Sequence, residues 1–173
     1  MSKHTQRVVY FGIYICLAMI FSYVEAVIPI PMVIPGFKLG LANIVVLLAW
    51  ETYGFSCAVL TDIIRIFITG YMFGSAVSLI FSLSGGILSL LMMCFIKKLR
   101  IFSIYGVSIT GGVFHNAGQL IAAGFVFKTA GFIYLLPAYT IAGVVTGLVI
   151  GILSDIIIKR TSAYMSGVKG GNE

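Results

Sequence analysis

Long apolar runs, separated by short polar or basic stretches, constrain the fold of this chain most strongly. Six runs can be delimited, at residues 8–28, 39–50, 55–71, 74–96, 102–127 and 130–158. A membrane-spanning helix needs about 20 predominantly apolar residues, and most of these runs approach or exceed that length. The pattern predicts an all-α integral membrane protein built as a six-helix bundle.

The scarcity of charge supports lipid as the solvent. Only 9% of the 173 residues are charged, whereas soluble domains carry about 25%. The net charge of +6 does not indicate nucleic acid, because the basic residues lie mainly between the apolar runs. The three cysteines are far apart within apolar runs and predict no disulfide framework.

The basic residues also predict the orientation in the membrane. With both termini in the cytoplasm, Lys38 and Lys128 face outward and Arg65 lies within the membrane, while the other lysines and arginines face inward. We therefore expect a single membrane domain of residues 1–160. A polar, glycine-rich stretch follows and predicts a flexible cytoplasmic tail of residues 161–173.

The most distinctive stretch is residues 29–38, Pro-Ile-Pro-Met-Val-Ile-Pro-Gly-Phe-Lys. Three prolines in seven residues exclude a regular helix and predict a shaped first extracellular loop that dips into the membrane. Lys38 and Asn43 at the following helix start suit an anion, although Lys38 alternatively only reaches lipid headgroups. We expect Glu25, one turn before the loop, to pair with Lys38 or to line the same vestibule.

Two charges fall near the centre of the third run. Asp62 and Arg65 are three residues apart and share a helix face, so that they can pair within the hydrocarbon. A structural ion pair and a ligand site are both consistent with this spacing. In the second case, the Arg65 guanidinium would bind a carboxylate or a phosphate.

A polar patch lies at mid-depth of the fifth run, where His115, Asn116 and Gln119 occur within five residues. Hydrogen bonds between helices are the simpler explanation. Three strongly polar groups exceed what helix docking usually requires, and we expect them to line a binding site. No further histidine, cysteine or carboxylate at ligand spacing accompanies them, so we expect no metal.

Small residues recur at every fourth position in two runs, a pattern that lets helix backbones approach closely. We expect helix packing in the sixth run, and either packing or docking of a partner membrane protein in the first. The positions are Ala18, Ser22 and Ala26 in the first run and Gly143, Gly147 and Gly151 in the sixth.

Enzyme motifs are missing from the sequence. It contains no nucleophile with an adjacent base, no Walker-type phosphate loop, no HExxH and no Asp-rich DDxxD motif for prenyl transfer. We therefore expect neither an autonomous enzyme nor a resident cofactor. Any active transport would use partners or an ion gradient.

Three motifs together resemble the Gx transporter family, also labelled heptaprenyl diphosphate synthase component I. They are residues 31–44 (Pro-x-x-x-Pro-Gly-x-Lys-Leu-Gly-Leu-Ala-Asn-Ile), residues 84–89 (Ser-Gly-Gly-Ile-Leu-Ser) and residues 115–119 (His-Asn-x-Gly-Gln). The resemblance covers about residues 8–158. The family is related to the substrate-binding S components of energy-coupling factor transporters.

The resemblance implies a six-helix bundle of S-component type in the bacterial cell membrane. Its first extracellular loop and the outer halves of the later helices would enclose a small molecule, and a membrane coupling subunit with paired ATPases would dock on helices one to three. Ala18-x-x-x-Ser22 is similar to the Ala-x-x-x-Ala docking motif of such proteins. The family's setting implies a flavin, vitamin, quinone or isoprenoid precursor as the ligand.

Two functions follow from these observations. The first is a membrane substrate-binding or transport protein for a small anionic or amphipathic molecule. In it, Lys38 and Asn43 engage polar groups, Arg65 and His115 neutralise charge, and Asn116 and Gln119 orient the ligand. The second is a non-catalytic membrane subunit associated with heptaprenyl diphosphate synthesis or flavin-based electron transfer, whose polar residues only hold helices together.

Overall fold

The described part of the chain, residues 3–27 and 38–170 of a computed structural model, consists of six α-helices and one short 3-10 helix and contains no strand. The proline-rich residues 29–37 of the predicted loop lie outside it. The α-helices are α1 (Lys3–Val27), α2 (Asn43–Tyr53), α3 (Phe55–Met72), α4 (Ala76–Lys98), α5 (Ile104–Val126) and α6 (Leu136–Gly170). The 3-10 helix Ala130–Leu135 precedes α6.

Among residues 3–27 and 38–170, four helical stretches are long and apolar enough to cross a membrane, and the chain is therefore a multi-pass membrane protein. They are Val8–Val27, Phe55–Met72, Ala76–Lys98 and Ala130–Thr161. The other two predicted crossings, α2 and α5, do not meet the same conditions. The 11 residues of α2 span only about 16 Å, and polar side chains and glycines dilute the hydropathy of α5.

Of the two helices that fail this criterion, α2 lies inside the bundle and α5 is covered by neighbouring helices along much of its length, with Ile121 and Phe125 exposed near its end. Every residue of α2 from Asn43 to Trp50 is buried, as expected of a helix that is apolar on all sides. α5 packs along α4 on one side and α6 on the other. Neither helix has to present a fully apolar face to lipid, which explains their length and composition.

Small residues set the close contact between α5 and α6. A Cβ atom added to Gly147 would lie 2.7 Å from the Cα of Ile109, and one added to Gly143 would lie 2.8 Å from the Cα of Val113. Ser108 Oγ donates a hydrogen bond of 2.7 Å to the carbonyl of Gly147. Gly151 continues the stripe against Tyr105 of α5, so that this stripe packs internally.

The small residues of α1 divide between the inside and the outside of the bundle. Ala18 and Ser22 are buried, where α1 packs against α2 and α3, while Ala26 is exposed. In this conformation Ala18 and Ser22 are therefore not accessible to a partner, and their contacts are those of helix packing.

The basic ends of α4 and α6 lie at the same end of the bundle as the end of α2. Lys97 Nζ is 2.5 Å from Glu51 Oε1 and 5.0 Å from the centre of the Trp50 ring. Helix α6 continues beyond the expected boundary at residue 160 to Gly170. The first ten residues of the stretch 161–173 are thus helical, and its flexibility stays a prediction.

Candidate functional site

The buried ion pair of α3 is the centre of a polar cluster in the half of the bundle that the predicted topology places outward. Arg65 Nε and Nη2 donate hydrogen bonds of 2.9 Å and 2.5 Å to Asp62 Oδ1. Arg65 is 1% exposed and Asp62 is 2% exposed. A single turn of helix thus brings the two charges together, as their spacing of three residues predicts.

The same guanidinium joins α3 to two further helices. Arg65 Nη2 donates a bond of 3.2 Å to Asn43 Oδ1 at the start of α2, and Nη1 donates a longer bond of 3.4 Å to Ser22 Oγ of α1. The Asn43 amide nitrogen has no hydrogen-bond partner within the described structure. Arg65 therefore organises three helices but leaves a donor of its neighbour unpaired.

A segment without regular secondary structure, residues 38–40, lies over this pair and is bound by side chains of α1 and α5. Gln119 accepts a hydrogen bond of 2.9 Å from the backbone N–H of Lys38 and donates one of 2.8 Å to the carbonyl of the same residue. Glu25 Oε1 accepts a bond of 2.6 Å from the N–H of Gly40. We refer to residues 38–40 as the latch segment.

Gly40 is required by the geometry of the latch segment. Its φ of +84° is unfavourable for residues with a Cβ. An added Cβ would also lie 2.9 Å from the Asn43 amide nitrogen and 3.2 Å from Cδ2 of His115. The segment therefore fits against the cluster because position 40 carries no side chain.

His115 of α5 is buried between the latch segment and α4. The residue is 2% exposed, and its ring lies so close to Gly85 that a Cβ added there would be 3.0 Å from Nδ1. Neither ring nitrogen makes a hydrogen bond of good geometry with another described residue. A buried imidazole without such bonds is costly and needs an explanation.

Asn116 does not belong to this cluster. Its Nδ2 donates a hydrogen bond of 2.8 Å to the carbonyl of Tyr139 in α6. One residue corresponds to a rotation of about 100° around an α-helix, so Asn116 points away from the side of α5 that carries His115 and Gln119. The structure thus brings together five of the six predicted binding residues, and Asn116 instead connects two helices.

Lys38 contributes its backbone N–H and C=O to the cluster, whereas the sequence analysis expected a contribution from its ammonium group. Burial lowers the pKa of the half-buried Lys38 ammonium, and the nearby Arg65 charge lowers it further, against a smaller opposite effect of Glu25. Formally, Lys38 and Arg65 are balanced by Glu25 and Asp62. The pairing of Asp62 with Arg65 is the structural ion pair that the spacing allowed, and the anion site at Lys38 and Asn43 stays a prediction.

The cluster is tightly packed in this conformation. The hollow beside Asn43, Leu47 and Gly111 holds about 10 Å³, at the lower limit for a single water molecule. A larger crevice of about 400 Å³ lies elsewhere, among α5, the 3-10 helix and the start of α6, and its lining is almost entirely apolar. A guest that engages Asn43, His115 and Gln119 would have to displace the latch segment, which contacts all three side chains.

Three further residues contribute to the cluster in ways that the sequence analysis did not predict. Glu25 and Ser22 are three residues apart on α1 and so face the cluster together, and this spacing was the available signal. Gly86 of α4 faces Asp62, because an added Cβ would lie 2.5 Å from Oδ2. Within the described residues, no three histidine, cysteine or carboxylate side chains are arranged to hold a metal ion.

Comparison with known proteins identifies the family. No curated protein and no solved structure matches the chain. The family model described as heptaprenyl diphosphate synthase component I matches residues 14–157, which include every helix of the cluster. The chain therefore belongs to the heptaprenyl diphosphate synthase component I family.

Proposed function

We propose that the protein is a substrate-binding membrane subunit of S-component type that takes up a small amphipathic or anionic molecule from the outer face of a bacterial cell membrane. The observation that carries the proposal is a group of unpaired polar atoms buried around one point. They are Asn43 Nδ2 and His115 Nε2, together with Glu25 Oε2 and His115 Nδ1, which make no well-aligned hydrogen bond although the backbone groups of Leu41 and Gly85 lie near these two side chains.

The energetic cost of these atoms is the reason to expect a guest. A buried polar group without a partner costs about 1–3 kcal/mol, and in a membrane bundle no water competes for it. Asn116, which connects α5 to α6, keeps a single unpaired atom, Oδ1, beside its bond to Tyr139. Around Gly40, by contrast, three side chains with unpaired atoms converge. Here acceptors and donors from α1, α2 and α5 remain unpaired next to one another.

The balance of charge supports a particular kind of guest. Two carboxylates face two cations, so the site offers no large positive excess. A molecule with a polar head and an apolar body, such as a flavin, a vitamin, a quinone or an isoprenoid precursor, fits this balance better than a simple inorganic anion. Its apolar body would extend toward the lipid-facing parts of the bundle.

Transport would need an energy source outside this chain. A membrane coupling subunit with ATPases is the partner that the S-component resemblance implies. The buried positions of Ala18 and Ser22 mean that such a partner would contact other surfaces of α1 in the conformation described here.

Mass spectrometry of the purified protein under native conditions tests the proposal. We expect a copurifying small molecule in the wild type and its loss in His115→Phe, which fills the ring site without the nitrogens. Asn116→Leu is the matched control, because Asn116 is equally buried on the same helix and bonds to α6. An empty wild type, or equal loss in both variants, would contradict ligand binding at this cluster.

A second candidate function is favoured by the family description. The family is described as a component of a synthase, which is consistent with a non-catalytic membrane subunit associated with heptaprenyl diphosphate synthesis or flavin-based electron transfer. This alternative predicts a stoichiometric protein partner with an unoccupied cluster. The same native mass spectra therefore separate the two functions.

A further inference from the structure

We infer that the latch segment occupies the place of the ligand, and that the ligand presents to Gln119 an amide-like edge with one N–H donor and one C=O acceptor. This inference rests on the proposed function and adds a substrate class to it. It starts from the two reciprocal hydrogen bonds between Gln119 and Lys38.

The pairing is specific in its chemistry. The side-chain amide of Gln119 offers one acceptor and one donor in a plane, and both are used by the N–H and C=O of a single residue. These two groups point to the same side of the chain, as in a strand edge. Gln119 therefore recognises the backbone N–H and C=O of Lys38 and not its side chain.

The neighbouring atoms extend the same recognition surface. Gly40 N–H binds Glu25 Oε1, and the Leu41 backbone lies near the same carboxylate. Asn43 Nδ2 and His115 Nε2 have no partner among the described residues. The latch segment thus forms hydrogen bonds with some polar atoms of this surface and leaves others without a partner. A guest with the same edge and additional polar groups would satisfy both sets of atoms, which gives it an advantage over the segment.

The competition has a simple thermodynamic form. While the latch segment is bound, only a fraction of the molecules is free to bind a guest, and the apparent affinity is reduced by that fraction. Any change that releases the segment and keeps Gln119 should raise the apparent affinity. Any change that removes Gln119 should release the segment without this gain.

Two substitutions separate these effects. Gly40→Ala places a Cβ 2.9 Å from Asn43 Nδ2 at a φ of +84°, which displaces the segment and keeps Gln119. Gln119→Met removes both hydrogen bonds to Lys38 with little change in shape. Gly54→Ala is the matched control, because Gly54 has a similar φ of +91° but an added Cβ there would meet nothing within 4 Å.

The probe is N-acetylglycinamide, whose glycine carries the same N–H and C=O edge as Lys38. N-acetylsarcosinamide, in which a methyl group replaces that N–H, is its control. Binding to the full-length protein in lipid nanodiscs is measured by saturation-transfer NMR. Release of the latch segment is measured separately as backbone hydrogen exchange of residues 38–42.

We expect Gly40→Ala to bind N-acetylglycinamide about tenfold more tightly than the wild type, with faster exchange of residues 38–42 and no gain for N-acetylsarcosinamide. Gln119→Met should show the faster exchange without the gain in binding. If Gly40→Ala does not fold, Glu25→Gln, which weakens the contact to Gly40, replaces it and should show a smaller gain in the same direction.

Three results would overturn the inference. The first is hydrogen exchange of residues 38–42 that is the same in every latch variant as in the wild type. The second is a gain in affinity for N-acetylglycinamide in Gln119→Met that equals the gain in Gly40→Ala. The third is equal binding of N-acetylglycinamide and N-acetylsarcosinamide. A wild-type protein that copurifies with a molecule lacking any amide, imide or lactam edge would also overturn it, but would leave the proposed function intact.

Discussion

Replacement of Arg65 should have an effect that depends on whether Asp62 is present. In Arg65→Met, the Asp62 carboxylate, which is 2% exposed, loses its cation and stays buried. Breaking a buried pair in this way costs about 3–5 kcal/mol. The accompanying losses at Asn43 and Ser22 are smaller, because hydrogen bonds within membrane bundles contribute about 0.6 kcal/mol each.

The double variant Asp62→Val/Arg65→Met should recover most of this stability. Replacement of both members of a buried pair by apolar residues of similar size is often neutral, and valine reaches no further than the carboxylate toward Gly86. We expect the double variant to lie within about 1 kcal/mol of the wild type. Its ligand retention should nevertheless be lost, since Arg65 holds Asn43 in place.

Unfolding equilibria in mixed micelles, measured for the wild type, both single variants and the double variant, give the coupling energy. The reasoning is refuted if the two single effects add, because the charges would then not depend on one another. A double variant that is stable and still retains the copurifying molecule would reduce Asp62 and Arg65 to a structural pair.

Three further predictions concern parts of the bundle outside the cluster. Gly147→Ala should lower the free energy of unfolding by about 1–3 kcal/mol, because its Cβ would contact backbone atoms of α5; Gly12→Ala, with nothing within 4 Å, should have no such effect. Glu51→Gln should cost at most about 1 kcal/mol, and less at high salt, because Lys97 and Glu51 are 34% and 27% exposed; a cost that does not change with salt would contradict this. Asn116→Leu should reduce stability by about 1 kcal/mol in thermal melts while leaving retention of the copurifying molecule unchanged, and a variant that loses the molecule first would place Asn116 in the site.

Much of the architecture could be predicted from the sequence, because lipid imposes simple requirements on length and polarity. The apolar runs predicted the helices, and the spacing of Asp62 and Arg65 predicted a shared face that the structure uses for a bond of 2.5 Å. The number of membrane crossings was harder to predict from the sequence. A helix inside the bundle, such as α2, is short, and α5 is rich in glycine and polar residues because its neighbours cover it.

The details of the cluster could not be predicted, because they depend on how each helix is rotated by its neighbours. Asn116 and Gln119 are near in sequence, but only Gln119 faces the latch segment. The contribution of Lys38 through its backbone leaves no trace in the side-chain pattern. Glu25 was placed correctly near the loop, but its partner is the N–H of Gly40 and not the Lys38 ammonium.

The short helix α2 has a mechanical consequence for the whole protein. Asn43 at its first residue contacts Arg65, and Glu51 and Trp50 near its last residue contact Lys97. Eleven residues of α-helix form a stiff rod of about 16 Å that is surrounded by protein along most of its length. A displacement of this rod at the Arg65 cluster would thus be carried to the opposite, lysine-bearing end of the bundle without passing through lipid.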